Sequence, residues 1–222
     1  MNKLLILALA GMMAGQGAAI AATSIGIVTD NGKPVDFVQR NLPAGTNVVH
    51  KPAYPAILEN FANKYPLGVY NASTGAAVSG PNTLHGQIWL ATSFTPKQDA
   101  TVKEIDVAAG YIAGTKNLVS VGMYADASGV PGTVIWSQKT ALPTFSGCCS
   151  IVALTDKAGV PVTAGTRYWV GITTLANASD TSAAWNLVVR NQIKGALAAQ
   201  NRGSGWLAGE AVPNFAFGLY GD

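Results

Sequence analysis

Two carboxylates, Glu104 and Asp106, stand two residues apart in Thr101–Ile112, a stretch in which apolar and polar residues alternate. In a strand, side chains at i and i+2 leave the same face about 7 Å apart. Hydrolysis of a glycosidic bond uses such a pair across a cleft, one carboxyl as acid and the other as base or nucleophile, about 5–10 Å apart. Alternation turns Glu104 and Asp106 away from Ile105, Val107, Ala109 and Tyr111. The expected setting for outward polar residues is a solvated outer face. Other routes to hydrolysis are thinner. His50 and His85 are the two histidines, each in a turn-rich segment far from any nucleophile motif, and no Gly-x-Ser-x-Gly elbow occurs.

Three further features have chemical potential. Asp126 opens the turn-rich loop Asp126–Gly132 and is a weak candidate Ca²⁺ ligand. Calcium takes about six to eight oxygens, and with one local carboxylate a side-chain-stabilised turn is the better expectation. Among five tryptophans, Trp169 shares strand parity with Arg167 and Thr173, opposite Tyr168, Val170 and Ile172. Alternation therefore places it on a polar face beside Tyr124. Trp206 follows Gly203-Ser204-Gly205 in an apparent loop. Trp169, Trp206 and Tyr124 are the candidate stacking platforms for a sugar, set against the ordinary core role of aromatic side chains.

The adjacent pair Cys148-Cys149 comprises the chain's two cysteines. Disulfides favour Cα separations of about 4.4–6.8 Å, whereas neighbours across a trans peptide lie about 3.8 Å apart. A strained vicinal disulfide, two free thiols, and a bridge between chains or a shared metal all remain open. An oxidising compartment favours the disulfide.

The elements that position these residues read as β. Expected strands cover 87–95, 101–112, 118–125, 133–139, 149–155, 167–173, 183–190 and 215–220, separated by Gly, Pro, Asn and Asp turns. About eight strands without amphipathic crossover helices predict an all-β, antiparallel sandwich of jelly-roll-like type. One helix is expected, Pro55–Tyr65, with Ile57, Leu58, Phe61 and Tyr65 on one face and Pro66 as its stop. No repeat of fixed period is present.

Composition sets the outer bounds. The chain has 222 residues, 14 basic and 11 acidic, for a net charge of +3. So small and dispersed a charge offers no footprint for nucleic acid and no basic cluster for an anionic membrane. Residues 1–22 read as a signal peptide: Lys3, an apolar run from Leu4, and the small-x-small site Ala19-Ile20-Ala21. No cysteine near the cleavage point offers a lipid anchor, and no later run reaches the roughly 18 apolar residues that span a bilayer. The expected organisation is signal peptide 1–22, irregular extension 23–53 and β-sandwich domain 54–222, exported to the periplasm or beyond.

Several motifs occur together in order: Phe94-Thr95-Pro96, Gly110-Tyr111-Ile112-Ala113-Gly114-Thr115, Val121-Gly122-Met123-Tyr124-Ala125-Asp126 and Gly129-Val130-Pro131-Gly132. Ala164-Gly165-Thr166-Arg167-Tyr168-Trp169, Ala184-Trp185-Asn186-Leu187 and Phe215-Ala216-Phe217-Gly218-Leu219-Tyr220-Gly221 complete the set. Over residues 54–221 this order resembles the bacterial exported choice-of-anchor β-sandwich domains, which often precede a PEP-CTERM or similar sorting tail. The resemblance implies an extracellular or surface-attached protein and carries no assigned chemistry. The chain stops at Asp222, one residue after the last motif, and so departs from the form with a sorting tail. That departure favours a released or periplasmic protein. The combined expectation is a non-catalytic protein that binds a ligand, with carbohydrate foremost, or contributes to the matrix or envelope, without a required cofactor. An extracellular polymer hydrolase and a subunit of a surface assembly are the alternatives.

Overall fold

Alternating apolar residues and frequent turn formers produce antiparallel sheets throughout the described chain. The computed structural model describes residues 27–28, 34–35, 37–39, 50–61, 70–145, 151–188, 193–210 and 214–222. The expected signal peptide and the Cys148-Cys149 pair lie outside the described residues.

Two short strands, β1 (Ile27–Val28) and β2 (Pro34–Val35), pair with each other. A third, β3 (Phe37–Gln39), joins a sheet with β5 (Asn71–Ser79), β13 (Ser182–Val188) and β16 (Asn214–Phe215), in the order β16-β13-β5-β3; β8 (Ala109–Ala113) also pairs with β13. A four-stranded sheet runs β11 (Val152–Val162), β7 (Ala100–Val107), β17 (Phe217–Gly221), β4 (Ala56–Glu59). The six-stranded sheet runs β10 (Pro131–Thr140), β9 (Val119–Asp126), β12 (Tyr168–Thr174), β6 (Trp89–Phe94), β14 (Leu197–Asn201), β15 (Trp206–Glu210). The fold is an all-β antiparallel sandwich, as the sequence predicts.

There are more strands than the expected eight, partly because two long ones bend. The stretch read as one strand over 101–112 breaks at Ala108 into β7 and β8, and the one over 215–220 breaks at Ala216 into β16 and β17. The breaks coincide in space. Ala108 N donates to Ala216 O at 3.2 Å, Asn186 N to Ala108 O at 2.8 Å, and Ala216 N to Asn186 O at 2.9 Å. Two neighbouring strands thus leave the four-stranded sheet for the five-stranded one at a common corner. The buried Trp185 indole donates to Ala216 O at 2.9 Å. Asn60, fully buried, accepts from Phe217 N at 2.9 Å and donates to Phe215 O at 2.7 Å. The corner therefore keeps its backbone groups bonded without water, as burial requires.

Between the sheets lies one main core, including Leu90, Phe94, Ile105, Val107, Met123, Ile172, Trp185, Phe217 and Leu219. Phe94 stacks with Tyr168 at 5.7 Å and Trp185 with Phe215 at 4.8 Å between ring centroids. Each such side chain contributes about 1.5–3 kcal/mol by leaving water. This core fixes which face of each strand points outward, and so positions the polar clusters below.

The expected helix over 55–65 is not formed where the chain is described: Ala56–Glu59 is strand β4, paired with β17. Gly221 N donates to Pro55 O at 2.9 Å and Asn60 N to Phe217 O at 3.2 Å, extending that pairing at both ends. The apolar spacing at Ile57, Leu58 and Phe61 suits an edge strand followed by a turn as well as one helix face. Pairing with β17 decides between them.

Candidate functional site

In β7, Ile105 and Val107 enter the main core, so Glu104 and Asp106 point from the opposite face of the four-stranded sheet. The register places Tyr220 beside Glu104, and Gly218 beside Asp106 with Glu59 next across the sheet. Gly218 has no side chain, and the Tyr220 ring occupies the space above it: a Cβ at 218 would lie 2.7 Å from Tyr220 Cε2 and Cζ. The phenol donates to Glu59 Oε2 at 2.8 Å. Three acidic residues and a tyrosine thereby share one patch.

The sequence predicts a solvated outer face here, and this expectation is corrected. Glu104 and Asp106 are each 1% exposed. The segment before β4 covers them. Ala53 N donates to Glu104 Oε2 at 2.9 Å, and His50 Nε2 lies 2.5 Å from Glu104 Oε1 and 3.7 Å from Asp106 Oδ1. Alternation identified the face correctly. The burial comes from a segment about fifty residues earlier, which strand periodicity cannot register.

Burial pushes the Asp106 carboxyl up to about 8, helped by the Glu104 charge, a hydrogen bond shared with Glu104, and the Glu59 charge. Asp106 Oδ1 is buried and accepts no hydrogen bond. Tyr220 is also raised above its ordinary value, first by burial and then by its bond to Glu59. Among the described residues, the imidazole of His50 is the one basic side chain in ion-pair range of Glu104 or Asp106. His50, Glu104 and Asp106 offer donor atoms within 4.8 Å of one another. His50, Glu59 and Tyr220 are the members that sequence reasoning missed. His50 had only turn-rich surroundings, and Glu59 was assigned to a helix.

The other predicted residues assemble elsewhere, on the outer face of the six-stranded sheet. Trp169 sits directly across from Tyr124, as parity predicts. They pack with Ala91 and Ala199, flanked by Leu197, Trp206 and Ala208. Tyr124 meets Trp206 edge-on at 6.2 Å. The expected exposure of Trp169 is corrected: it is fully buried. The hairpin β14–β15 widens the sheet, and its side chains join this aromatic group. Tyr124 is also buried, which raises its phenol above the ordinary value. Trp206 is half-buried and belongs to β15 rather than a loop.

Asp126 supports this cluster from within the chain. Its Oδ1 accepts from Trp169 Nε1 at 2.8 Å, and its Oδ2 from Gly129 N at 3.0 Å. The second bond is the expected turn stabilisation. Both Asp126 oxygens are thus engaged by protein donors, and among the described residues Asp126 belongs to no group of three or more His, Cys, Asp or Glu side chains.

Compared with protein-family models, curated proteins and solved structures, the chain matches none of them.

Proposed function

We propose that the chain is an exported, non-catalytic β-sandwich of the cell envelope or extracellular matrix, in the manner of the choice-of-anchor domains it resembles. One observation carries the non-catalytic part. Glu104 and Asp106, the carboxylate pair that the sequence offers for hydrolysis, are buried beneath His50 and Ala53. A polymer needs both carboxyls open to its scissile bond.

The binding part rests on Trp206, the half-exposed member of the Tyr124–Trp169–Trp206 group. It follows the exposed turn Arg202–Gly205, so a glycan could reach its ring while the buried aromatic pair holds it in place. A glycan array with the purified chain and its Trp206→Ala variant tests this reading. Glycan retention lost in the variant supports it, and absence of retention in the parent leaves the structural role. Polysaccharide cleavage by the parent that disappears in Glu104→Gln overturns the non-catalytic reading.

A further inference from the structure

The geometry points to a divalent metal site of the zinc class, formed by His50 Nε2, Glu104 Oε1 and Asp106 Oδ1 on the outer face of the four-stranded sheet. The three donor atoms come from two distant parts of the chain and lie within 4.8 Å of one another. They combine one imidazole nitrogen with two carboxylate oxygens, a set suited to Zn²⁺ and its first-row neighbours. Calcium and magnesium favour all-oxygen shells.

A second observation separates this cluster from a merely acidic patch. Asp106 is 1% exposed, and its Oδ1 faces His50 Nε2 at 3.7 Å without accepting any hydrogen bond. A buried carboxyl oxygen that accepts no hydrogen bond is costly. A cation between Asp106 and Glu104 would satisfy it. Glu104 is already held in place, since its other oxygen accepts from Ala53 N.

Two of the donor separations bear on the fit. A tetrahedral ion with bonds of about 2.1 Å holds its donors about 3.4 Å apart. The Nε2–Oδ1 separation of 3.7 Å already suits this, whereas the Nε2–Oε1 contact of 2.5 Å must open by about 1 Å. The His50 side chain is 30% exposed, so its imidazole has solvent to move into. The same opening gives the ion a fourth position for water. The bound ion would clamp the segment before β4 onto the sheet.

Zinc binding by the purified chain tests the site. The protein is stripped with a chelator and titrated with ZnCl₂ by calorimetry, with native mass spectrometry for stoichiometry. The expected result is one ion per chain and a rise in Tm. His50→Gln and Asp106→Asn should each weaken binding by at least roughly tenfold, while Asp99→Asn at a distant exposed carboxylate leaves it unchanged. No binding by the parent, or undiminished binding in both site variants, overturns the inference. If Asp106→Asn fails to fold, the half-exposed His50→Gln decides alone.

Discussion

The ring of Tyr220 lies over Gly218, its neighbour two residues back on the same strand face, and the missing Cβ makes that overlap possible. The overlap lets the phenol reach Glu59 across the sheet. Gly218→Ala is therefore expected to displace the ring and break the Tyr220–Glu59 bond, at about 1–3 kcal/mol. Urea denaturation of Gly218→Ala, Tyr220→Ala and the double variant checks it. The loss caused by alanine at 218 should shrink once the tyrosine is absent. Equal losses in both backgrounds would place the strain elsewhere.

Asn60 bridges the corner between β16 and β17 through two side-chain bonds to Phe215 and Phe217. Asn60→Ala leaves a buried carbonyl and a buried amide without those partners. The expected loss is about 2–4 kcal/mol, at roughly 1–3 kcal/mol for each orphaned group less any relief by water entry. Hydrogen exchange should show faster opening at Phe217 N than in the parent. Unchanged protection there would mean that Asn60 is dispensable.

Asp126 holds the Trp169 indole and closes its own turn with Gly129. Asp126→Ala should cost about 1–3 kcal/mol, chiefly by leaving the buried indole N–H unpaired. Thermal melts give the loss, and the near-ultraviolet dichroism of the tryptophans should change with it. A melt identical to the parent's would remove the bond from the stabilising set.

Asp180 supplies the pH-dependent case. The backbone amide of Thr115 donates to its Oδ2 at 2.7 Å, and this bond, followed by one from the Thr115 side chain, lowers the carboxyl's pKa. A folded value below the unfolded one gives stability that is present above the ordinary Asp range and lost as pH falls through the folded value. Titration followed by NMR should place the Asp180 midpoint below that of an unstructured aspartate. Asp180→Asn should remove this part of the acid-limb dependence. A midpoint at the ordinary value would show that the Thr115 contact does not persist in solution.

The strands that positioned both polar clusters were legible because alternation is a local signal. Ile105 and Val107 against Glu104 and Asp106, and Val170 and Ile172 against Trp169, each divided between faces as their spacing predicts. What covers a face is a long-range property. No spacing rule links His50 to Glu104, 54 residues later, nor the β14–β15 hairpin to Trp169. The same limit explains β4: Ile57, Leu58 and Phe61 fit a helix locally, and only pairing with the distant β17 selects a strand. Nothing local marks Asn60, because its two partners lie more than 150 residues away.

The place of β17 between β7 and β4 also governs timing. Both neighbours leave the ribosome more than a hundred residues before the strand that joins them. Until β17 arrives, β7 keeps one edge bare and β4 has no partner in this sheet. A growing chain can pre-form the β9–β10 hairpin, whose pairing is local, but this sheet must be completed late. Such long-range closure slows folding and prolongs exposure of an unpaired edge. The bare edge of β7 is thus open to pairing with a neighbouring copy for longer than the strands of the local hairpins are.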